Sequence, residues 1–360
     1  MRKIVLFLLS LIFVASCTRN DYVIEGKAEN LDLEGGTVYI AERVGRTWQT
    51  LDSIFVENGK FSFKGEVDSV RIVYLKFNYA SRNNTQVFVL EPGEIKIVLD
   101  SAKNTISGTK QNDILNKYNE AEAELYKRAG EADAALNEAG ASDAEKEQEQ
   151  QKIFDEYKAL MVDYASKYAN TIVGNHLFSS TYYYLTIAEK EAVIAKFNDK
   201  TRKIERIQKI IQNLEIEKKT AEGNPFTDFE QTSPDGQKIS LSSLVGKSDY
   251  VLVDFWASWC GPCIRSFPEL KEFYNKHKGS QLEILGVSLD NDEEAWKNAI
   301  AQYELTWQHI SDLKGWDNEA AKAYAVSGIP NTVLIDKNGN IAGRNLSIGE
   351  IKALLSSEKE

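Results

Sequence analysis

The stretch that most constrains the fold lies in the second half of the chain. An almost continuously apolar run over 250–256 is followed, three residues later, by Cys260-Gly261-Pro262-Cys263. The run has the length and the β-branched and aromatic content of a buried strand, and the residues after Cys260 have the pattern of a helix. A buried strand that turns directly into a helix favours an α/β domain here.

The turn between this strand and helix carries two thiols that can be switched between reduced and oxidised forms. A helix N-terminus presents unpaired N–H groups and partial positive charge, which stabilise a thiolate, so we expect Cys260 to be the nucleophile. Cys263, one turn further along, can attack the mixed disulfide that results. The predicted redox group is the Cys260–Cys263 disulfide itself, with no separate cofactor.

A zinc site is the main alternative for a Cys-x-x-Cys pair, and it needs two more Cys or His ligands at suitable spacing. The chain offers only Cys17 and the isolated His176, His277 and His309. We therefore predict no metal and expect the three histidines at the surface or as capping residues. A buried, inert cysteine pair is the other alternative.

The first residues have the pattern of an export signal. Arg2 and Lys3 precede an apolar run over 4–14, which is too short to span a bilayer but suits a signal-peptide core. Val14-Ala15-Ser16-Cys17 resembles the lipobox of bacterial lipoproteins, which implies cleavage before Cys17 and lipidation of its sulfur and amine. Several acyl chains would anchor the protein stably in a membrane. An ordinary signal peptide with a chance cysteine is the alternative.

These features predict a signal peptide over 1–16, a lipidated tether over 17–21 and a location on the periplasmic side of the cell envelope. A length of 360 residues exceeds what one hydrophobic core usually organises, so two or three further domains are expected. The formal charge of −11 disfavours nucleic acid as a partner. No later stretch is apolar enough for a transmembrane helix.

Residues 22–109 alternate β-like runs with turn signals, of which Asn58-Gly59 is the strongest. An antiparallel sandwich or small barrel is predicted, with strands at 37–40, 61–63, 71–75, 86–90 and 94–99. Three segments also resemble a β-rich domain of unknown function that precedes thioredoxin-like modules in bacterial lipoproteins: Leu51-Asp52-Ser53, Asn58-Gly59-Lys60-Phe61 and Leu90-Glu91-Pro92-Gly93. That resemblance implies no activity.

Residues 110–222 are rich in Ala, Glu, Lys and Gln and have apolar positions at helical spacing, so a helical region is predicted. The acidic stretch 130–151 is either a loop or a solvated helical hairpin. Tyr182, Tyr183 and Tyr184 are expected in the core in preference to a peptide-binding surface. Two apolar stripes are predicted to pack: Phe154, Tyr157, Met161, Tyr164 and Tyr168, and Ile204, Ile207, Ile211 and Leu214.

Residues 223–360 have an α/β pattern. A second strand is predicted over 282–289, followed by a helix from Asn291 or Asp292 with Glu294 placed for a capping box. A β-hairpin is predicted around Asp336-Lys337-Asn338-Gly339. The expected layout is thus an N-terminal all-β domain, a central helical region and a C-terminal α/β domain.

Within residues 224–360, the segment 253–263 and the loop Gly328-Ile329-Pro330-Asn331-Thr332 resemble thioredoxin-fold domains of the TlpA/ResA group. The resemblance implies that Pro330 is a cis-proline beside the dithiol and that the Ile329 backbone and Trp259 contact substrate. It also makes Gly261-Pro262 the dipeptide of reducing thioredoxins. Without the family, a trans proline would be expected, because cis is a small minority of X-Pro bonds.

The same resemblance implies that Asp254 is a buried acid near Cys263. Burial raises a carboxyl pKa, and a group that exchanges a proton near neutrality suits activation of the resolving thiol. An aspartate that simply ends a strand is the alternative. The chain departs from the family pattern at two positions near this acid. The strand around Gly286 lacks the lysine that pairs with the acid in many thioredoxins, and Ser266 stands where some ResA-like proteins have a glutamate.

The function expected from these features is a lipid-anchored thiol-disulfide oxidoreductase that reduces disulfides of exported proteins. Because the compartment is oxidising, the resemblance implies a membrane electron donor of the DsbD or CcdA kind. The opposite direction, as oxidase or isomerase, stays open. So do a lipid-anchored binding protein with a redox-sensing dithiol and a peroxiredoxin-like peroxidase, whose motif wants Pro and Thr where this chain has Val253 and Ala257.

Overall fold

A computed structural model of the chain describes residues 20–45, 47–79 and 82–357. The chain divides into two compact units, one ending at Phe178 and the other beginning at Ser179. The predicted signal peptide and Cys17 lie outside the described residues. Among the residues that are described, no helix combines the length and apolar character needed to cross a membrane.

The first unit opens with a two-sheet domain. One sheet has the strand order β4-β1-β7-β8 and the other the order β3-β2-β5-β6. Their buried side chains form one shared core, which includes Ile24, Ile40, Leu75 and Ile97. The strands are β1 (Asp21–Glu29), β2 (Thr37–Val44), β3 (Thr47–Phe55), β4 (Lys60–Glu66), β5 (Arg71–Tyr79), β6 (Arg82–Leu90), β7 (Gly93–Asp100) and β8 (Thr105–Ser107).

This arrangement confirms the predicted β-rich domain and selects the sandwich over the barrel. The expectation of a purely antiparallel domain is wrong for one pair, because β1 and β7 run parallel, with Ile24 opposite Ile95. The predicted Asn58-Gly59 turn is present: both residues have positive φ, 52° and 67°, as a tight hairpin turn requires. It closes a hairpin-like return into β4.

Three helices complete the first unit: α1 (Lys110–Glu138), α2 (Asp143–Lys167) and α3 (Ile172–Thr181), which crosses into the second. The stretch 130–151 is therefore a solvated helical hairpin, as one of the two predicted alternatives has it. Ser142 begins α2 with a capping box closed by Glu145. Met161, from the first predicted apolar stripe, is buried against Leu115 and Tyr118.

The second unit begins with helices α4 (Ile187–Ile194), α5 (Asp199–Arg202) and α6 (Glu205–Lys219). The boundary between the two units falls inside the predicted helical region, before these three helices. Gly223 N–H donates to the Ile341 carbonyl at 2.8 Å, and Arg344 Nη1 donates to Thr220 Oγ1 at 2.8 Å. These contacts bind the end of α6 to the α/β domain.

The tyrosines between α3 and α4 are only partly core. Tyr182 is buried, as predicted, whereas Tyr183 is 53% and Tyr184 40% exposed. The second apolar stripe is shifted by one helical position, because Ile207, Ile210 and Leu214 are buried while Ile204 precedes the helix and is 40% exposed.

The remainder of the second unit is an α/β domain around a five-stranded sheet of order β13-β12-β11-β14-β15. Strands β11, β12 and β13 are parallel, and β14 and β15 are antiparallel additions at the other edge. Its elements are β9 (Glu230–Thr232), β10 (Lys238–Ser240), β11 (Tyr250–Trp256), α7 (Gly261–His277), β12 (Leu282–Ser288), α8 (Glu293–Gln302), β13 (Gln308–Ile310), α9 (Glu319–Ala323), β14 (Asn331–Asp336), β15 (Ile341–Arg344) and α10 (Ile348–Ser357).

The predicted strands, the hairpin and the all-β, helical and α/β layout are confirmed. One local expectation is wrong: Glu294 forms no capping box. Asp292 is the N-cap of α8, and its side chain accepts the N–H of Ala295, so the third helical position is an alanine. Strand β11, at the centre of the sheet and buried at every residue, is the element that positions the cysteines.

Candidate active site

The redox turn begins where β11 ends. Trp256 closes the strand and its carbonyl accepts the N–H of Leu289 at 2.8 Å, which ties it to the neighbouring strand end. The chain then turns, with Cys260 N–H donating to the Ala257 carbonyl at 3.0 Å. Helix α7 starts at the next residue, so the sheet fixes the start of the helix and with it the first cysteine.

Cys260 is the N-cap of α7, and its Sγ accepts the backbone N–H of Cys263 at 3.2 Å. Pro262 lies in the first turn, where a missing N–H leaves no helical bond unmade. The two cysteines are joined in a disulfide, so the structure shows the oxidised form. Both cysteines are buried, Cys260 at 4% and Cys263 at 1% exposure.

Asp254 lies on β11 and is 5% exposed. Burial raises the pKa of its carboxyl to about 7. It borders a cavity of about 260 Å³ whose lining also includes Ser266 of α7 and Pro330. Ser266 Oγ donates to the Cys263 carbonyl at 2.8 Å. Ser266 thus borders the cavity together with Asp254 and also bonds the backbone of the second cysteine.

The loop before β14 brings a proline to the same cavity. The Ile329–Pro330 peptide bond is cis. Asn331, the next residue, lies opposite Phe255 in the β11–β14 register, and Thr332 lies opposite Asp254. The pairing of these two strands thus sets the proline loop beside the end of the strand that leads to Cys260.

Trp259, directly before Cys260, is 52% exposed. Its ring lies beside that of Trp316, with centroids 6.0 Å apart. The structure therefore places Trp259, Cys260 and Cys263 in one turn, and Asp254 and Pro330 at one cavity. Their individual roles stay predictions.

Sequence reasoning missed Asp290, which holds the turn in place. This carboxylate is 1% exposed and accepts the N–H of Ser258 at 3.0 Å and the hydroxyls of Ser258 and Ser288 at 2.6 and 2.7 Å. It lies 32 residues after Ser258 in the sequence, so only the fold brings the two residues together. A Ser-x-Asp at the end of a buried strand is the only local signal.

The expectation that the histidines lie at the surface is wrong for His309, which is 3% exposed. It lies opposite Gly286, which in turn lies opposite Asp254. Because Gly286 has no side chain, the imidazole covers the glycine and packs against the rings of Trp256 and Trp307. Burial lowers the pKa of His309 to about 3.

The other two histidines differ in their surroundings. Burial also lowers the pKa of His176 in α3. His277 ends α7, where its Nδ1 lies 3.2 Å from Gln281 Oε1. Across the described ranges no group of three or more His, Cys, Asp or Glu side chains is arranged to hold a metal ion.

Two parts of the chain match family profiles. Residues 247–341 match a profile described as thioredoxin-like, and residues 22–115 match a domain of unknown function, DUF4369. The first match covers β11, the dithiol and the proline loop. The second covers the sandwich and confirms the resemblance of that domain to one without a known role.

Relatives with a described activity match a part of the chain. The thiol-disulfide oxidoreductase ResA of Bacillus thuringiensis subsp. konkukian is 34% identical over 143 residues, which is 40% of this chain and 76% of that protein. The ResA protein of Oceanobacillus iheyensis is 32% identical over 137 residues, 37% of this chain and 69% of that protein.

Among solved structures, a thiol-disulfide oxidoreductase from Bacteroides fragilis is 34% identical, with 36% of this chain and 99% of that chain covered and a TM-score of 0.35. The identity and coverage of the curated relatives decide the assignment. This chain belongs to the thioredoxin-like family of ResA thiol-disulfide oxidoreductases and is an enzyme of that class.

Proposed function

We propose that this enzyme reduces disulfides in exported proteins and that Cys17 anchors it to a membrane by lipid. The observation that carries the catalytic part is the position of Cys260 as the N-cap of α7, with its Sγ accepting the Cys263 N–H at 3.2 Å. A hydrogen-bond donor and the positive end of a helix favour negative charge on that sulfur.

In the first step the Cys260 thiolate attacks one sulfur of the client disulfide. A bond forms between the two sulfurs, the client S–S bond breaks, and the released client thiolate takes up a proton. In the second step the Cys263 thiolate attacks Cys260 Sγ, which forms the Cys260–Cys263 disulfide and releases the second client thiol. Two electrons pass from the dithiol to the client, and the product is the form seen in the structure.

Asp254 is proposed to take the proton from Cys263 before the second step. Asp254 borders the cavity that is also lined by Ser266, whose hydroxyl bonds the Cys263 carbonyl, and its pKa of about 7 lets it bind or release a proton near neutrality. Pro330, at the same cavity, and Ile329 are proposed to align the client segment, with Trp259 beside it. Gly261 and Pro262 complete the redox turn.

The location and electron source follow from the first residues and from the chemistry. Val14-Ala15-Ser16-Cys17 supports lipid anchoring of an exported protein. Each catalytic cycle ends with an oxidised enzyme, and an oxidising compartment offers no thiol pool to reduce it. A membrane electron donor of the DsbD or CcdA kind is the proposed partner, together with exported proteins that contain disulfides.

The direction is tested by insulin reduction with dithiothreitol as the electron source. Wild type should accelerate precipitation of the insulin B chain, and Cys260→Ser should not. Clients are identified with Cys263→Ala, which should retain them as mixed disulfides. A wild-type enzyme that oxidises reduced peptides but fails to reduce insulin would contradict the reductive direction.

Anchoring is tested independently of catalysis. Wild type expressed in a bacterial host should take up labelled palmitate and sediment with membranes, whereas Cys17→Ser should do neither. If both proteins sediment equally without label, the lipid-anchor proposal is wrong.

A binding role for the first unit is a second candidate. The favouring observation is that the ResA relative from Bacillus thuringiensis covers only 40% of the chain, so more than half of the chain has no counterpart in that alignment, and the sandwich matches a domain of unknown function. A Cys260→Ser variant that keeps the full cellular role would support binding with the dithiol as a sensor. Loss of that role would support the oxidoreductase.

A further inference from the structure

Two exposed tryptophans lie together at the redox turn. Trp259 is 52% and Trp316 39% exposed, and their ring centroids are 6.0 Å apart with planes inclined at 51°. Indole rings are usually well covered on average, and exposed ones are enriched at binding interfaces. The exposure of this pair therefore indicates a binding surface.

The first indole is held by the buried carboxylate of Asp290. Ser258, the residue before Trp259, donates both its N–H and its hydroxyl to this carboxylate, at 3.0 and 2.6 Å. Ser288 Oγ donates to the same group at 2.7 Å. The backbone that carries Trp259 is thus fixed to the end of β12.

The second indole is held by the same strand end. Gly315, the residue before Trp316, donates its N–H to the Asp290 carbonyl at 3.3 Å. Asn318, which is fully buried, donates to the Ser288 carbonyl at 3.3 Å and to Asp312 Oδ1 at 2.9 Å. Both sides of the short turn with Trp316 are tied down, so the two rings form a preorganised surface that loses little entropy on binding.

The charges around Trp316 are compensated within the fold. Lys314 pairs with Glu319 at 2.6 Å, and Lys322 pairs with Asp317 at 2.8 Å. No net charge of one sign is therefore offered beside the indole by these four groups. A neutral aromatic surface favours an apolar side chain over a charged one.

We propose that Trp259 and Trp316 form a docking surface for an extended client segment that has an aromatic or large aliphatic residue next to the attacked cysteine. The proposal rests on the reductase function above. Trp259 is covalently joined to Cys260, and consecutive Cα atoms are about 3.8 Å apart. In the mixed disulfide, residues that flank the client cysteine must therefore pass close to this pair. Trp316 acts as a specificity residue in this reaction.

The test uses full-length enzyme and two disulfide peptides that differ only in a Phe or a Ser beside each cysteine. Wild type should prefer the Phe peptide. In Trp316→Ala the ratio of kcat/KM for the Phe peptide over the Ser peptide should fall about 5-fold to 10-fold, through KM, as loss of an aromatic contact implies. Trp316→Phe should restore part of the ratio. Tyr126→Ala, which removes a 60% exposed aromatic on α1, should keep the wild-type ratio.

Two results would overturn the docking surface. One is a wild type that reduces both peptides equally well, and the other is a Trp316→Ala variant with an unchanged ratio. Bis(2-hydroxyethyl) disulfide separates this failure from failure of the proposed function. A wild type that reduces this small disulfide and both peptides without preference keeps its reductase function and loses only the docking surface, whereas one that reduces none of them loses both.

Discussion

The Sγ atom of Cys260 accepts the backbone N–H of Cys263 at 3.2 Å, and this single contact distinguishes the two sulfurs. In the reduced enzyme the same donor would stabilise a thiolate at Cys260. Cys263 has no such position, because it lies inside the first turn and is 1% exposed.

We therefore expect Cys260 to be alkylated first. In reduced Cys263→Ser at pH 6, iodoacetamide should modify Cys260 at least about tenfold faster than it modifies Cys263 in reduced Cys260→Ser. Mass spectrometry of quenched samples measures both rates. In urea the two rates should converge, and equal rates in the native proteins would remove the basis for naming Cys260 the nucleophile.

Asp254 should make the enzyme less stable as the pH rises. Its folded pKa is about 7, whereas an unfolded aspartate titrates near 3.9, so between these values only the folded state holds the proton. Stability from this group is full below about pH 4 and is lost by about pH 7, a change of about 4 kcal/mol.

Asp254→Asn removes that dependence. The variant should match wild type near pH 4 and exceed it in free energy of unfolding at pH 8, as measured by urea denaturation at both values. At pH 8 it should nevertheless release trapped clients more slowly, since the proton acceptor for Cys263 is gone. An asparagine variant with wild-type stability at pH 8 would mean that the carboxylate is solvated.

His309 should change the stability of the enzyme with pH in the opposite direction. Burial lowers its folded pKa to about 3 from an ordinary value of about 6.5, so the unfolded state binds the extra proton and stability falls as the pH drops through this range. Between pH 8 and pH 4 the wild type should lose about 3 kcal/mol of its free energy of unfolding through His309, and His309→Phe should not show this loss.

Between about pH 4 and 6.5 the free energy of unfolding falls with pH through Asp254 and rises with pH through His309. Together the two groups should therefore leave the stability of the wild type nearly independent of pH in this interval. Asp254→Asn should show the pH dependence of stability due to His309 alone, and His309→Phe that due to Asp254 alone. Thermal or urea unfolding across this interval measures it. A His309→Phe curve parallel to wild type would show that the imidazole does not stay neutral on folding.

The sequence predicted the parts of the site that are local in the chain. Strand β11, the cysteine turn, the start of α7 and the Pro330 loop all lie in short segments with strong patterns. The domain layout followed from changes in periodicity. The register of β11 against β14, which brings Pro330 and Asp254 to one cavity, needed the fold.

The parts that were missed depend on distant or absent side chains. Asp290 bonds Ser258, 32 residues earlier, so no window along the sequence contains the pair. His309 is buried because Gly286 on the next strand leaves space, and a missing side chain has no pattern of its own. In the sandwich, strand β3 is mostly exposed and polar and so lacks alternation, and the parallel pairing of β1 with β7 joins segments about 70 residues apart.

Gly286 is the residue whose replacement most directly tests this packing. A Cβ at that position would lie 2.4 Å from His309 Nδ1 and 3.0 Å from Trp256 Nε1, and both rings are buried. Gly286→Ala should therefore cost about 2 kcal/mol or more, since overpacked cores rearrange at such a cost. Gly349→Ala in α10, whose nearest neighbour would be Ser347 Oγ at 3.8 Å, is the matched control and should be close to neutral.

The clash can be relieved from the other side. His309→Ala alone leaves a cavity and should also destabilise, but in the Gly286→Ala/His309→Ala double variant the new methyl group occupies part of that space. The double variant should then lose less free energy of unfolding than the two single variants lose together. The difference, a coupling energy measured by urea unfolding at pH 8, should exceed about 1 kcal/mol. Additive losses would mean that the imidazole does not cover the glycine. They would contradict the strand register that places Asp254 opposite Gly286 and Gly286 opposite His309.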